Sequence, residues 1–230
     1  GKIEVDWVIQ SLDSFVPAEL KQADRVKPFG TAHAVLCAKD AVKEPFAVIN
    51  ADDFYGKEAF EEIGKFLSKD ARPDLHAMVG YAIQNVLSEN GTVSRGVCET
   101  NEKGQLIGMT ERTSIALEGG KILSKGEGEV LEIAENTPVS MNFWGFHPDV
   151  FADVEQMWKD FLPANKENLK SEFYIPTVAN NLIQSGKAAF EILPGGKTWF
   201  GVTYTEDKPV VIEALKSLHD SGEYPAELWK

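Results

Sequence analysis

The sequence has little of what marks metal, redox or nucleic-acid-binding proteins. Its two cysteines, Cys37 and Cys98, fit no metal-ligand spacing, and no pair of its four histidines has zinc-ligand spacing. We therefore expect two free, buried thiols. Because 23 basic residues stand against 36 acidic ones, the formal net charge is -13, which argues against a nucleic-acid-binding face. A small phosphorylated ligand needs only a few local cations and remains compatible with this charge.

Long apolar runs and a signal-peptide pattern are also missing. No stretch approaches the roughly 20 apolar residues of a membrane span, so we expect a cytoplasmic protein without a membrane partner. The chain contains no internal repeat, low-complexity tract or clear linker. Since its 230 residues suffice for a sizeable core, residues 1–230 are predicted to form a single domain.

The first part of the chain alternates between strand and helix patterns. Residues 2–10 alternate polar and apolar side chains as a strand does, and residues 11–29 form a polar, proline-containing loop. Gly30 and Thr31 open a helix, with Thr31 as its N-cap. A strand and a second helix follow, and this order predicts parallel βαβ units. Because a strand pattern begins at once, we expect a fragment that starts inside a domain.

The rest of the chain mixes further strands and helices. A glycine-rich, charged segment at 118–128 is typical of exposed β-hairpins. Helices are predicted over residues 150–161, 175–185 and 208–219, and strands over residues 76–83, 96–100, 105–111, 139–146, 188–193 and 199–203.

Two adjacent acids follow the strand on which the functional prediction depends. Residues 46–49 form a short apolar run, typical of a strand buried on both faces. Asp52 and Asp53 lie just beyond its carboxyl end, where open α/β sheets bind ligands, so they could hold a metal ion that carries a phosphate. The alternative is that one of them merely caps the helix that follows.

Several other polar residues are candidates, and each has a simpler alternative. Gly30 could let a base or ribose approach the backbone closely, or could only form a turn. The amide of Gln10 could bind a base edge, or could simply end a strand. Glu111 could hold a sugar hydroxyl and Arg112 a phosphate, or the two could form a surface ion pair.

Two later positions complete the set of candidates. Asn142 is a polar residue in an apolar strand, and a buried amide there must be hydrogen-bonded either to a ligand such as a sugar hydroxyl or to a neighbouring loop. Lys170 and Glu172 precede a predicted helix, where Glu172 could equally serve as a capping acid.

These motifs occur in one order along most of the chain. They are Gln10 at the end of a strand, GTAHAV at 30–35, AVINADD at 47–53, Gly96 with Val97, TER at 110–112 and VSMNFWG at 139–145. This ordered set, which is more specific than any single member, resembles the sugar-phosphate nucleotidyltransferases, also called nucleotide-sugar pyrophosphorylases. The resemblance implies a Rossmann-like, three-layer α/β/α fold of the nucleotide-diphospho-sugar transferase type, with a mixed, mostly parallel sheet.

The resemblance also implies roles for individual residues. Gln10, Gly30 and Thr31 would bind the nucleotide together with Asp52, and Asp52 and Asp53 would bind Mg²⁺. The sugar phosphate would be bound by Gly96, Glu111, Arg112, Asn142 and Lys170. The catalytic residues would be Asp52, Arg112 and Lys170.

The implied activity transfers a nucleoside monophosphate from a nucleoside triphosphate to a sugar 1-phosphate and releases pyrophosphate. The partners would be these two substrates, with a second copy of the chain or a missing N-terminal segment as further partners. A phosphocholine-type cytidylyltransferase on the same fold would differ only in its acceptor. A nucleotide-sugar-binding or regulatory module without catalysis is the other alternative.

Two departures from the family pattern favour the module without catalysis. The family opens with a glycine-rich loop that wraps the triphosphate, and no such segment precedes the strand pattern at 2–10, so an N-terminally incomplete member is expected. The family also usually carries another metal-binding aspartate late in the chain. Gly201 stands in that place here, and Asp207 is only a distant candidate.

Overall fold

The computed structural model describes residues 3–201, 204–225 and 227. The helices in this part of the chain are α1 (Thr31–Cys37), α2 (Lys57–Lys69), α3 (Val150–Ala164), α4 (Ile175–Gln184) and α5 (Asp207–Asp220). The strands are β1 (Phe46–Val48), β2 (Leu75–Ala82), β3 (Val93–Thr100), β4 (Gln105–Glu118), β5 (Lys121–Ser124), β6 (Leu131–Ile133), β7 (Pro138–Phe146) and β8 (Ala189–Pro194). None of the described helices is long and apolar enough to span a bilayer.

The strands form one mixed sheet held together mainly by antiparallel pairs. Among the described strands, only β2 and β8 pair in parallel. Short turns at 101–104 and 119–120 join β3 to β4 and β4 to β5, and such short turns connect antiparallel neighbours. The mixed sheet is confirmed, but the prediction that it is mostly parallel is wrong.

Strand β7 changes its partner along its length. At its C-terminal end Gly145 pairs with Ala47 of β1, and nearer its N-terminal end Ser140 pairs with Gly96 of β3, while β2 pairs with β7 at both positions. β1 and β3 therefore lie one after the other on the same side of β7. Asn142 lies between the two pairings and has a positive φ of 62°, so the sheet opens at this point.

Apolar side chains pack against both faces of the sheet. Neighbouring residues of a strand point to opposite faces, and on β7 Phe143 belongs to a cluster with α2 whereas Trp144 belongs to a cluster with α1, α3 and α4. Both side chains are fully buried. The three-layer form of the fold nevertheless stays a prediction.

Two predictions about the apolar strands are wrong. Residues 3–10 form no strand, and Val5, Trp7 and Ile9 are 79%, 79% and 74% exposed. An alternating pattern makes a strand only where a partner supplies ladder hydrogen bonds, and no described strand pairs with this segment. β1 is a strand as predicted but is not buried on both faces, since Ala47 is exposed and Phe46 and Val48 are only partly buried.

Smaller differences concern helix ends and the last strand. Gly30, not Thr31, is the N-cap of α1, and Gly56 precedes α2, so neither Asp52 nor Asp53 caps that helix. Both cysteines are free as expected, although Cys37 is only partly buried. Of the strand predicted at 199–203, the described residues form an isolated bridge between Phe54 and Phe200, and residues 202 and 203 lie outside the described part.

Candidate functional site

A cavity of about 540 Å³ lies where β7 changes partner. Its walls come from the turn after β1, from β3, β4 and β7, and from the first residues of α1 and α4. The lining includes six of the predicted site residues, namely Thr31, Asp52, Asp53, Gly96, Glu111 and Asn142. Residues that are far apart in the sequence therefore meet here, because the sheet opens between β1 and β3.

The turn after β1 is tied to β7 by an amide network. Asn142 Nδ2 donates to Asn50 Oδ1 at 2.7 Å, and Trp144 Nε1 donates to Asn142 Oδ1 at 3.0 Å. Asn50 Nδ2 in turn donates to Asp53 Oδ2 at 2.9 Å. Of the two partners predicted for Asn142, the structure shows the neighbouring loop. One hydrogen of Asn142 Nδ2 is not used by this network, and its role in sugar binding stays a prediction.

The hydroxyl of Tyr55 supports the same turn from below. It accepts a hydrogen bond from Asn50 N at 3.0 Å, and its single proton can be donated either to Met141 O at 2.9 Å or to Asp53 Oδ2 at 3.2 Å. Burial, together with the nearby Asp53 charge, raises the pKa of Tyr55 above its ordinary value, so the hydroxyl keeps its proton. The sequence analysis did not single out this residue.

The two acids differ in their surroundings. Asp53 is half-buried, and burial raises the pKa of its carboxyl. The hydrogen bonds from Asn50 and Tyr55 lower this pKa, but their effect is smaller than that of burial. Asp52 is exposed, and its side chain has no hydrogen bond or ion pair with the described residues. One carboxylate is therefore fixed on its Oδ2 side and the other is free.

These two carboxylates fit a magnesium ion better than a closed metal cage. The described residues contain no group of three or more histidine, cysteine or acidic side chains that could hold a metal. Mg²⁺ is commonly bound through one or two carboxylates, with water and substrate phosphates completing its six oxygen ligands. The free Asp52 oxygens and Asp53 Oδ1 match this donor set.

A basic residue that the sequence analysis missed also lines the cavity. Arg95 is half-buried next to Gly96, and its guanidinium is held by Val86 O and Ser94 O. Burial lowers its pKa, and the charges of Asp53 and Glu111 act in the opposite direction. Burial also raises the pKa of the Glu111 carboxyl, which the Arg95 charge opposes. The position of Arg95 beside a predicted site glycine was the only signal in the sequence.

The two cations that were predicted, Arg112 and Lys170, do not line the cavity. Arg112 follows Glu111 on β4 and pairs with Arg95 of β3, but it is not among the residues that line the cavity. Glu111 and Arg112 form no ion pair within 4.0 Å. Lys170 is exposed in the segment between α3 and α4. Their roles toward a sugar phosphate stay predictions that the geometry does not favour.

Gln10 and Gly30 lie together at the start of α1, outside the lining of the cavity but next to Thr31. Gln10 Nε2 is 3.0 Å from both Gly30 O and His33 Nδ1, and His33 Nε2 donates to Ser14 O at 2.8 Å. Gly30 has φ of 96°, and a Cβ there would be 2.6 Å from Phe173 O. The glycine is therefore required by its own backbone contact, which is the simpler of its two predicted roles.

The late candidates lie near the cavity as well. Gly201 lines it, and a Cβ at this position would lie 3.0 Å from Asp53 Oδ1. Asp207 lines a smaller neighbouring cavity of about 220 Å³, where Ser88, Asn90 and the backbone of Tyr204 donate hydrogen bonds to its carboxylate. Asp207 thus anchors the start of α5.

Two solved structures share this architecture. The inositol-1-phosphate CTP transferase from T. maritima matches with a TM-score of 0.54 and 12% identity, over 83% of this chain and 63% of that one. A protein from Bacillus anthracis with the provisional name glucose-1-phosphate thymidylyltransferase, in complex with sucrose, matches with a TM-score of 0.50 and 13% identity, over 86% and 62%. The fold is that of the sugar-phosphate nucleotidyltransferases.

The similarity to these two structures is distant. No family model and no curated protein matches the chain. The chain spans less than two thirds of the length of either structure. At 12% and 13% identity the likeness establishes the nucleotidyltransferase fold, as the motifs predicted, and leaves the reaction to the residues of the site.

Proposed function

We propose that this chain serves a nucleotidyltransferase that moves a nucleoside monophosphate from a nucleoside triphosphate to a sugar 1-phosphate. The observation that carries the proposal is the cavity at the partner change of β7, where Asp52 and Asp53 lie within one pocket with Glu111, Asn142 and Arg95. Oxygen donors for a magnesium ion and a cation for a phosphate are thereby combined, and phosphoryl chemistry depends on such positioning and charge neutralisation.

The proposed reaction is a direct displacement at the α-phosphorus. An oxygen of the sugar phosphate forms the new P–O bond, the bond to the β-phosphate breaks, and pyrophosphate leaves with the bonding electrons. No general base is needed, because a phosphate oxygen is already ionised at neutral pH. Asp52 and Asp53 would hold Mg²⁺, which when bound supplies charge neutralisation on the phosphates.

The other residues of the chain would bind and orient the substrates. Glu111 and Asn142 carry acceptors and a donor suited to sugar hydroxyls. Gly96 lets Met109 pack closely against the same wall, since a Cβ there would be 2.6 Å from Met109 Sδ. Gln10 and Gly30 would bind the nucleotide at the start of α1.

The cytoplasmic location expected from the sequence stays a prediction.

One observation favours a binding module without catalysis. Gly201 lines the cavity and has no side chain to offer a metal, whereas the family resemblance leads us to expect a second aspartate at that place. A Cβ at Gly201 would lie 3.0 Å from Asp53 Oδ1. A module of this kind would bind nucleotide sugars in the same cavity and would not turn over.

Measuring pyrophosphate release separates these alternatives. The chain is incubated with Mg²⁺, each of the common nucleoside triphosphates and a panel of sugar 1-phosphates, with phosphocholine as a further acceptor. We expect release with a sugar 1-phosphate, and Asp52→Asn should lower it at least about 100-fold because one charged ligand is lost. Asp70→Asn, at the exposed end of α2, is the matched control. Nucleotide binding without turnover would support the module, and turnover unaffected by Asp52→Asn would contradict the metal role.

A further inference from the structure

The cavity contains one basic side chain among the residues that the structure describes. Arg95 lines it, whereas Arg112, Lys170 and the described histidines do not. Arg95 also lines the neighbouring cavity of about 220 Å³, so its guanidinium lies where the two cavities meet. A ligand that enters the larger cavity with a phosphate group would find its cation at this position.

The hydrogen bonds of Arg95 hold the guanidinium in place and engage only some of its N–H groups. Nε and Nη2 donate to Val86 O at 3.2 and 2.6 Å, and Nη1 donates to Ser94 O at 2.9 Å. A guanidinium has five N–H groups, so three are engaged and two have no partner among the described residues. No described carboxylate forms an ion pair with Arg95 within 4.0 Å. A half-buried cation is thus held rigidly, with donors to spare and no paired anion.

The ring of Trp199 borders the same guanidinium. Its centroid lies 5.2 Å from the Arg95 guanidinium carbon, and the residue lines both cavities. An aromatic face next to a guanidinium stabilises it by a cation–π interaction. Trp199 therefore helps to hold Arg95 where the two cavities meet.

The charges of the lining explain why such an anion would enter together with a divalent cation. Asp52, Asp53 and Glu111 contribute three formal negative charges and Arg95 one positive charge, which leaves a formal charge of -2. A free phosphate would be repelled by this lining. A divalent cation on the acids removes the repulsion and leaves Arg95 available.

We infer that Arg95 binds the phosphate group of the acceptor substrate. The inference rests on the proposed function and replaces Arg112 and Lys170 as the phosphate-binding cations. Arginine suits this task, because its planar fork can bind two phosphate oxygens at once.

The first test measures the affinity for inorganic phosphate by calorimetry in the presence of saturating Mg²⁺. Arg95→Gln should weaken phosphate binding at least about 10-fold, the typical effect of losing a charged hydrogen-bond donor. Arg95→Lys keeps the charge but not the planar guanidinium, and its phosphate affinity should lie between those of the unmodified chain and Arg95→Gln. Arg72→Gln, in an exposed ion pair with Asp74, is the matched control and should stay within about twofold of the unmodified chain. Unchanged binding by Arg95→Gln, or no phosphate binding by the unmodified chain, would overturn the inference.

The second test uses the unmodified chain, so it does not depend on whether an Arg95 variant folds. The sequence contains four arginines, Arg25, Arg72, Arg95 and Arg112, so a ¹⁵N spectrum of the guanidinium groups is simple to assign. Titrating inorganic phosphate with Mg²⁺ should shift the Arg95 signals and leave those of Arg112 in place, and the reverse result would overturn the inference. Because neither test depends on turnover, failure of pyrophosphate release alone would count against the proposed function and not against phosphate binding at Arg95.

Discussion

The two sides of β1 are built very differently. On one side β1 pairs with β7, and its chain continues into Asn50, whose amide is bonded both to Asn142 on β7 and to Asp53. On the other side no described strand pairs with it. That side borders an apolar groove of about 440 Å³ between α1 and β1, and Ile49 is 43% exposed. We call these the paired side and the open side of β1.

The difference shows where the geometry of the candidate site comes from. Each hydrogen bond that orients Asp53 is supplied by Asn50, Tyr55 or Asn142, directly or through one intermediate. All of these residues lie on the paired side or in the turn that follows β1. The position of the carboxylates therefore does not depend on what covers the open side, and the cavity is preformed in the described chain.

The largest expected effect separates core packing on the paired side from the exposed segment at residues 3–10. Phe146 on β7 is 2% exposed and packs against the rings of Phe46 and Phe190. Phe146→Ala should lower the free energy of unfolding by about 3–5 kcal/mol. Trp7→Ala, which removes a ring that is 79% exposed, should change it by about 0.5 kcal/mol or less. Urea denaturation measures both, and losses of equal size would contradict the comparison.

A smaller effect is expected from acid, through a buried histidine on the paired side. His76 on β2 is 1% exposed, and burial lowers its pKa to about 4, with the nearby His147 charge acting in the same direction. In the unfolded chain its pKa is about 6.5, so between these values the unfolded state binds more protons and stability rises with pH. The contribution is complete above pH 6.5 and is lost as the pH falls toward 4, by about 3 kcal/mol in all.

Unfolding in urea between pH 4 and pH 8 measures this slope. His76→Phe removes the titrating group from a site already flanked by Phe146 and Phe190, and should reduce the slope in this range. The remaining slope would come from His33, which is also buried and whose pKa is also lowered by burial. The exposed His219→Phe is the control and should keep the slope. A slope that is unchanged in His76→Phe would assign the acid sensitivity to another group.

The smallest effect tests the polar network itself. Tyr55→Phe removes the hydroxyl that accepts from Asn50 N, and leaves that partly buried donor without its partner. The free energy of unfolding should fall by about 1–3 kcal/mol. Chemical shifts of the Asn50 and Asp53 amides should change as well. If neither changes, the turn after β1 does not depend on Tyr55, and the account of the preformed cavity would lose one of its supports.

The sequence was informative about which segments meet and uninformative about what surrounds them. AVINADD, Gly96, Glu111 and Asn142 were recognisable as one set, because short motifs keep their order and spacing whatever the sheet does around them. The direction of the strands was not predictable, because an apolar strand pattern is the same for parallel and antiparallel neighbours. The failure at residues 3–10 has the same origin, since alternation indicates a surface suited to pairing and does not supply the partner.

The choice between Arg112 and Arg95 could not be made from the sequence for a related reason. The side chains of a strand alternate between two faces, and which residues face a cavity depends on register and on bulges. The pairing of β3 with β4 shifts register between Val93 and Arg95, and Ser114 on β4 has a positive φ of 54°. Neither irregularity has a signature in the neighbouring residues.

The central claim is that Asp52 and Asp53 hold a divalent ion that a nucleotide shares. It is tested most directly by adding Mn²⁺ in place of Mg²⁺, together with a nucleoside triphosphate, to the ¹⁵N-labelled chain and following paramagnetic broadening of its amide signals. The account predicts that the amides of Asn50, Asp52 and Asp53 broaden at the lowest Mn²⁺ concentration, and that Asp52→Asn abolishes this preference. Broadening centred on any other part of the chain, or broadening at these amides that Asp52→Asn leaves unchanged, would contradict it.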